Sequence, residues 1–345
     1  MTTIIRKATP ADLLAALPEL VGRDPRESVA LIAFRGKRTH AALRFDIPRS
    51  GIGTFAATAV GTFCRIEGAD DVVPIVCSEA PADAHEQLLG TLVSAFRRAG
   101  FPVRDALALG SDGWSSHLDP DRRVHPRAEV EAATRALGLE PPAEVPDRVP
   151  RADELACRRM ADHLARLAQP EADDELEPLD DLPFFAERAL SWTGSEFEDA
   201  AALLLLAVQA PPVRDVVMLQ WAFGLDLGDA LWTADTCAAL EARKSYPDVD
   251  ELAAELMLGR GPAPDRDRIE TAVALLTAVI ARADDSARPA PLCMLAWLTW
   301  ALGRGSAAGK HVDEVRALAP EYGMGQLLDT MLGSGALPDW IFQRF

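Results

Sequence analysis

Charged and hydroxyl side chains follow the predicted strands in the first third of the chain, and together they could bind a polar molecule or transfer protons. The second, third and fourth strands are predicted to run parallel, so their carboxyl ends and the entry to the first strand share one sheet edge. Ligands of open α/β sheets bind at that edge. The same residue types also cap helices and solvate loops, and the sequence leaves both interpretations open. The ligand-binding candidates are Arg26, Glu27, Ser28, Asp46, Arg49, Ser78, Glu79, Ser111 and Asp112.

A possible metal site lies between His117 and His125, with Asp119 and Asp121 between them. Imidazole and carboxylate groups are ligands for Zn²⁺ and similar ions. Their spacing does not fix a coordination geometry, and a polar loop explains the same composition. These four residues are therefore weak candidates, and we predict no bound metal.

Two glycine-containing segments are similar to phosphate-binding loops. Gly51, Gly53 and Ala56 fit G-x-G-x-x-A before a predicted helix, but the preceding strand belongs to a hairpin, which favours a plain turn. In GRGSAAGKH, Gly303 lies one residue too far from the second glycine of a P-loop, and His311 replaces the magnesium-binding hydroxyl. A turn between two helices is the better interpretation. We therefore predict no cofactor.

Composition and charge argue against several classes of function. The net charge of −18 repels a phosphate backbone, so nucleic acid is not an expected partner. The five cysteines are odd in number and lack a CxxC pair, which disfavours a disulfide framework or structural zinc and fits a reduced cytoplasm. The longest apolar run, residues 200–208, is much shorter than the roughly 18 residues of a membrane span. We predict a cytoplasmic protein without a membrane partner.

The candidate residues are positioned by a predicted hairpin over residues 28–48. Its first arm is apolar at every position from Val29 to Phe34, whereas its second arm alternates and shows one face to the core. Two strand-helix-strand crossovers follow, so strands two to four should run parallel and the first antiparallel to them. Pro74 indicates an edge or irregular position for the third strand. The pattern predicts an α/β sandwich with a mixed sheet of about four strands, followed by a loop after Gly110.

The rest of the chain shows only helical periodicity, with a proline-rich stretch and an acidic stretch between Glu171 and Asp181. Short links between the helices predict antiparallel helical hairpins in a C-terminal bundle. The predicted division is an α/β domain over residues 1–125, helices and a linker over 126–183, and a helical domain over 184–345.

Four segments carry a resemblance to a known family: TPADLLAALPELVG, DPRESVALI, RFDIP and, far downstream, LAWLTWALGRGSAAGKHVDEVRALAP. In this order they resemble the actinobacterial family called domain of unknown function 4192, over nearly the whole chain. The most specific part is residues 13–32. No activity is assigned to that family, so the resemblance implies a fold and not a function.

The last of these segments also resembles one tetratricopeptide-type repeat. Its small-residue, turn and closing-proline positions are Ala296, Gly303, Ala308 and Pro320. A solenoid needs about three repeats to bury a continuous core, and the sequence shows no second copy. The resemblance therefore implies a single tetratricopeptide-like helical hairpin within a bundle.

No complete catalytic motif is present, and the catalytic residues of any enzyme activity are not apparent from the sequence. The first hypothesis is a non-enzymatic, cytoplasmic interaction or regulatory protein whose helical domain binds a protein partner. The alternative is an enzyme or small-molecule-binding protein that uses the carboxyl edge of the N-terminal sheet.

Overall fold

The structure is a computed structural model that describes residues 9–21, 25–139, 148–169, 173–232 and 248–342. Internal contacts divide the chain into two compact units. The boundary between the N-terminal unit and the helical unit lies between Val145 and Pro146. The sequence predicted three regions, whereas the contacts give two units with one boundary, and the three-part division stays a prediction. In the described parts of the chain, no helix is both long and apolar enough to cross a membrane.

The described N-terminal unit contains a five-stranded mixed sheet with the strand order β2-β1-β3-β4-β5. Strand β1 is antiparallel to both β2 and β3, β3 is parallel to β4, and β4 is antiparallel to β5. Strands two to four therefore run in one direction, as predicted, and the α/β plus helical fold class is confirmed. The strands are β1 Ser28–Arg35, β2 Arg38–Asp46, β3 Asp71–Cys77, β4 Leu107–Leu109 and β5 Trp114–Ser116.

Helices cover both faces of the sheet. Helices α1 (Pro10–Val21) and α4 (Arg127–Leu137) share one apolar cluster with the even-numbered core residues of β1. Helices α2 (Ile52–Phe63) and α3 (Glu86–Arg98) pack together, with α3 against β3. The odd-numbered β1 residues from 29 to 33 are also fully buried, which explains why this arm is apolar at every position.

The sequence predicts an edge or irregular position for Pro74; β3 lies inside the sheet between β1 and β4, so the edge alternative is wrong. Val72 exchanges backbone hydrogen bonds with the chain leading to β4, because its N–H donates to the Pro102 carbonyl and its carbonyl accepts from Arg104 N–H. Backbone groups two residues apart point to the same side, so the proline nitrogen also faces β4. Between the bridge at Val72 and the regular pairing that begins at Ile75, β3 makes no pairing with β4. The N–H that proline lacks would fall in this interval, so no hydrogen bond of the sheet is lost.

The segment after Gly110 was expected to be a loop, but Trp114–Ser116 form β5 on the edge beside β4. A strand of three residues is too short for its alternation to be visible in the sequence. The sheet therefore has five strands rather than about four.

The helical unit is built from eleven described helices around one apolar core. Helix α13 lies at its centre, since each of its residues from Pro289 to Ala301 is buried. The helices are α5 Glu154–Leu167, α6 Asp173–Leu176, α7 Leu182–Ala189, α8 Gly194–Ala207, α9 Pro211–Phe223, α10 Leu225–Leu231, α11 Val249–Met257, α12 Arg266–Arg282, α13 Pro289–Ala301, α14 Gly305–Leu318 and α15 Gly323–Gly333.

Part of the acidic stretch differs from the solvated connector that its composition predicts. Residues 173–179 form α6 and a 3₁₀ turn, and the side chains of Leu176 and Leu179 pack against the helical core. The acidic side chains Asp174, Glu175 and Glu177 stay exposed. Two apolar residues at helical spacing thus dock a segment whose overall composition is that of a linker.

A buried ion pair fixes the start of the helical unit. Arg288 lies 2.7 Å from Glu314, and both side chains are almost fully buried. The backbone N–H of Val149 donates to Glu314 Oε2 at 3.0 Å. The carbonyl oxygen of Val149 accepts from Arg288 Nη2 at 2.7 Å. Because the pair satisfies both backbone groups of one buried residue, it holds this extended segment against α13 and α14.

Candidate functional site

The carboxyl edge of the N-terminal sheet brings several predicted residues into one row. Ser28 is the register partner of Asp46 on β2 and of Cys77 on β3. Cys77 pairs in turn with Leu109, and Leu109 with Trp114. Residues that face each other across neighbouring strands lie on the same face, so this row faces α1 and α4.

Glu27 ties the entry of β1 to the loop that follows β3. Its Oε1 accepts hydrogen bonds from Ser78 Oγ at 3.0 Å and from the backbone N–H of Glu79 at 2.6 Å. The backbone of Glu27 has φ 43°, which is uncommon for a residue other than glycine. Two accepted hydrogen bonds stabilise this left-handed conformation, and one carboxylate oxygen of the candidate site is therefore used inside the protein.

The predicted residues after β4 also bind protein backbone. Asp112 Oδ1 accepts from the N–H of Ala82 at 2.8 Å, and the N–H of Ser111 donates to the Ala80 carbonyl at 3.1 Å. The two loops approach so closely that a Cβ on Gly110 would lie 2.4 Å from the nitrogen of Ala82. These contacts join the loops after β3 and β4 into one rigid edge.

The charged candidates all remain exposed at this edge, and Ser28 does not. Arg26, Asp46, Arg49 and Glu79 all present their side chains to solvent. Ser28 is buried, and its hydroxyl donates to the Pro25 carbonyl. The structure therefore brings the predicted residues together, and several of them, including Glu27 and Asp112, already hydrogen-bond to protein groups.

Arg44 is a residue that the sequence analysis missed. It lies on β2 two residues before Asp46, on the face that α1 covers, and its Nη2 donates to the Arg26 carbonyl at 2.9 Å. Its Nε and Nη1 are buried without a hydrogen-bond acceptor in the described chain. Burial lowers the pKa of the guanidinium, and the negative charge of Asp46 only partly opposes this. The alternation of β2 had assigned Arg44 to a solvated face, and only the packing of α1 reveals its burial.

The four weak metal candidates do not converge. His117 packs against α3, where its Nε2 would lie 3.3 Å from a Cβ on Gly90. His125 stacks on Trp114 with ring centroids 4.2 Å apart. Asp119 Oδ1 accepts from the N–H of Asp121 at 3.0 Å, within its own turn. Among the residues described, no three histidine, cysteine or acidic side chains are grouped so that they could hold a metal ion.

The two glycine segments adopt the turns that the sequence favoured. Gly51 has φ 69° and immediately precedes α2. Gly303 has φ 80° between α13 and α14, and a Cβ there would lie 2.8 Å from the side chain of Ile341. The positive φ at both positions favours glycine without any role in phosphate binding.

The chain matches the family described as Domain of unknown function (DUF4192) over residues 10–123 and 227–339. These segments make up more than half of the chain. The chain belongs to the DUF4192 family. The first matched segment contains the sheet and its whole carboxyl edge, and the second contains the hairpin of α13 and α14. Neither the curated proteins nor the solved structures contain a match to this DUF4192 chain.

A second charged region of the DUF4192 chain lies on the helical unit. Phe184 is 56% exposed, although its neighbours Pro183 and Phe185 are buried. Asp181 caps α7 by accepting from the N–H of Phe184 at 3.2 Å. Burial raises the pKa of Asp229, and the charges of Asp181, Asp226 and Glu187 raise it further. We call Phe184, Asp181, Asp226 and Asp229 the acidic-aromatic surface.

Proposed function

We propose that this protein is a non-enzymatic, cytoplasmic interaction or regulatory protein whose helical unit binds a protein partner. The observation that carries the proposal is the exposed ring of Phe184 within the acidic-aromatic surface. Aromatic side chains are frequent anchors of protein interfaces, and charges around them guide a partner of opposite charge. The partner that fits is a segment with basic residues beside an apolar side chain.

A photo-crosslinking amino acid at position 184 tests this function in the full-length chain. The matched control is position 327 on α15, where Leu327 is 73% exposed. We expect a discrete cross-linked partner from position 184 and not from position 327. The yield should fall at high salt and when Asp226 and Asp229 are both replaced by asparagine, because screening weakens exposed charge pairs. Equal yields from the two positions would argue against the proposal.

The hairpin of α13 and α14 supports the same proposal as a rigid scaffold. The two helices pack together across the short link 302–304, and the indole N–H of Trp300 donates to the Ala336 carbonyl at 2.7 Å. We propose that this hairpin is tetratricopeptide-like. An actinobacterial source is proposed from the family resemblance and from the scarcity of lysine among the 35 basic residues.

The second candidate function is the binding of a polar small molecule at the carboxyl edge of the sheet. Arg49 favours it, because this exposed side chain near the start of α2 makes no ion pair with any described residue. If Arg49 binds a ligand, Arg49→Ala should leave the melting temperature of the free protein nearly unchanged. The same substitution should remove the shift given by a metabolite found in a thermal screen.

A further inference from the structure

Arg44, which is half-buried, differs from the buried arginines of the described chain in having no carboxylate within ion-pair distance. In the helical unit, Arg288 pairs with Glu314 at 2.7 Å, and Arg214 pairs with Asp215 at 2.8 Å. The partner of Arg44 is a neutral carbonyl oxygen, and two of its nitrogen atoms lack an acceptor among the described residues. A buried charge that lacks a counter-charge is strongly unfavourable, whereas a paired one is tolerated.

The surroundings of Arg44 restrict what its missing partner can be. A water molecule would supply an acceptor but no negative charge, whereas an anion supplies both. Asp46 lies on the same face two residues further along β2, but its side chain is exposed and forms no ion pair with Arg44. Because β2 is an edge strand and Arg44 as a whole is half-buried, the guanidinium lies just beneath the surface.

We infer that Arg44 binds a small oxyanion, a carboxylate or a phosphate group, at the carboxyl edge of the sheet between β2 and α1. This inference names the ligand class for the second candidate function and is independent of the acidic-aromatic surface. The row of Ser28 and Cys77 lies beside the site on the same face, and Trp114 ends that row. Ligands of open α/β sheets bind beyond the carboxyl ends of parallel strands, which is where this face ends.

Thermal unfolding of the full-length protein in phosphate, sulfate and acetate tests the inference, with chloride at equal ionic strength as the reference. At a hundredfold excess over Kd, a ligand bound only to the folded state multiplies the folded-to-unfolded ratio by about 100. We expect at least one oxyanion to raise Tm progressively with concentration. The difference between phosphate and acetate shows which group the site prefers.

Two variants assign the effect to the guanidinium. Arg44→Met keeps the apolar stem of the side chain but removes the charge, so it should abolish the oxyanion shift and be at least as stable as the wild type in chloride. Arg38→Met, at the exposed opposite end of the same strand, should keep the full shift. An oxyanion shift that survives Arg44→Met would overturn the inference, because it would show an adventitious ion only.

Two further outcomes would also overturn it. If Arg44→Met unfolds the protein in chloride, the guanidinium is already compensated inside the chain. If no oxyanion shifts Tm, the site does not bind this class. A metabolite whose shift is lost in Arg49→Ala but kept in Arg44→Met would support the second candidate function while refuting the role of Arg44. The two failures are therefore distinguishable.

Discussion

Replacing Glu314 by leucine should bring the helical unit close to unfolding. The carboxylate lies 2.7 Å from Arg288 and accepts from the N–H of Val149 at 3.0 Å, and all three residues are about 4% exposed. The substitution leaves a buried guanidinium without a counter-charge, which costs about 3–5 kcal/mol. It also leaves a buried N–H without an acceptor, at about 1–3 kcal/mol. The expected total of about 4–8 kcal/mol is comparable to the stability of a typical domain, about 5–15 kcal/mol.

The double variant Arg288→Met/Glu314→Leu separates the two contributions. It removes both charges and leaves only the N–H and carbonyl of Val149 without partners, so we expect a smaller cost of about 2–6 kcal/mol. Urea unfolding followed by circular dichroism measures the difference. Arg151→Met is the control, because its pair with Asp285 is exposed and should contribute less than about 1 kcal/mol. A double variant less stable than the single one, or a Glu314→Leu cost as small as that of the control, would refute this reasoning.

Three other predictions concern packing, pH and thiol chemistry. Gly228→Ala should lower the free energy of unfolding by about 1–3 kcal/mol, because the added methyl would lie 2.1 Å from a buried amide oxygen. Gly309→Ala, in open space on α14, should instead raise it by up to about 1 kcal/mol. Equal urea midpoints for the two variants would contradict this prediction. Burial, with a smaller contribution from Lys310, lowers the pKa of His311 to about 4 from an ordinary 6.5. Neutral His311 therefore favours the folded state above pH 6.5, and this advantage is lost as pH falls towards 4. The stability gap between the wild type and His311→Gln should shrink by about 2–3 kcal/mol between pH 7 and 4.5, and a constant gap would exclude the effect. Burial also raises the pKa of Cys293 to about 12, so iodoacetamide should label the exposed Cys64 of the native protein and leave Cys293 unmodified in a peptide map.

The sequence predicted those parts of the fold that depend on local pattern. The alternation of β2 and the apolar run of β1 were sufficient for the hairpin, and short crossovers fixed the directions of the next two strands. Thr9 directly precedes Pro10 and an apolar stripe, a pattern that predicts the N-cap of α1, and its hydroxyl accepts from the N–H of Asp12 at 3.2 Å. Pro74 predicted an edge or an irregular position, and the sequence could not decide between them because the gap in pairing with the neighbouring strand is not a local property.

The sequence predicted where the candidate site lies, but it did not predict which of its side chains form hydrogen bonds inside the protein. Topology alone placed Glu27, Ser78 and Asp112 at one edge, but their hydrogen bonds to loop groups appear only when the loops are folded together. Arg44 could not be recognised, because a polar residue at an alternating position is normally solvated, and here α1 packs over it. A charged residue on a strand next to a predicted amphipathic helix is the one signal that could have marked it.

Helix α13 has a consequence for how this chain can vary. In an amphipathic helix such as α3, buried positions recur with the helical period and the residues between them face water, so substitutions are tolerated at regular intervals. Every position of α13 from Pro289 to Ala301 is buried, so a saturation mutagenesis profile across it should show no such interval. Thirteen consecutive positions would tolerate only residues of similar size and polarity, and variation in the helical unit would have to accumulate in the helices around it.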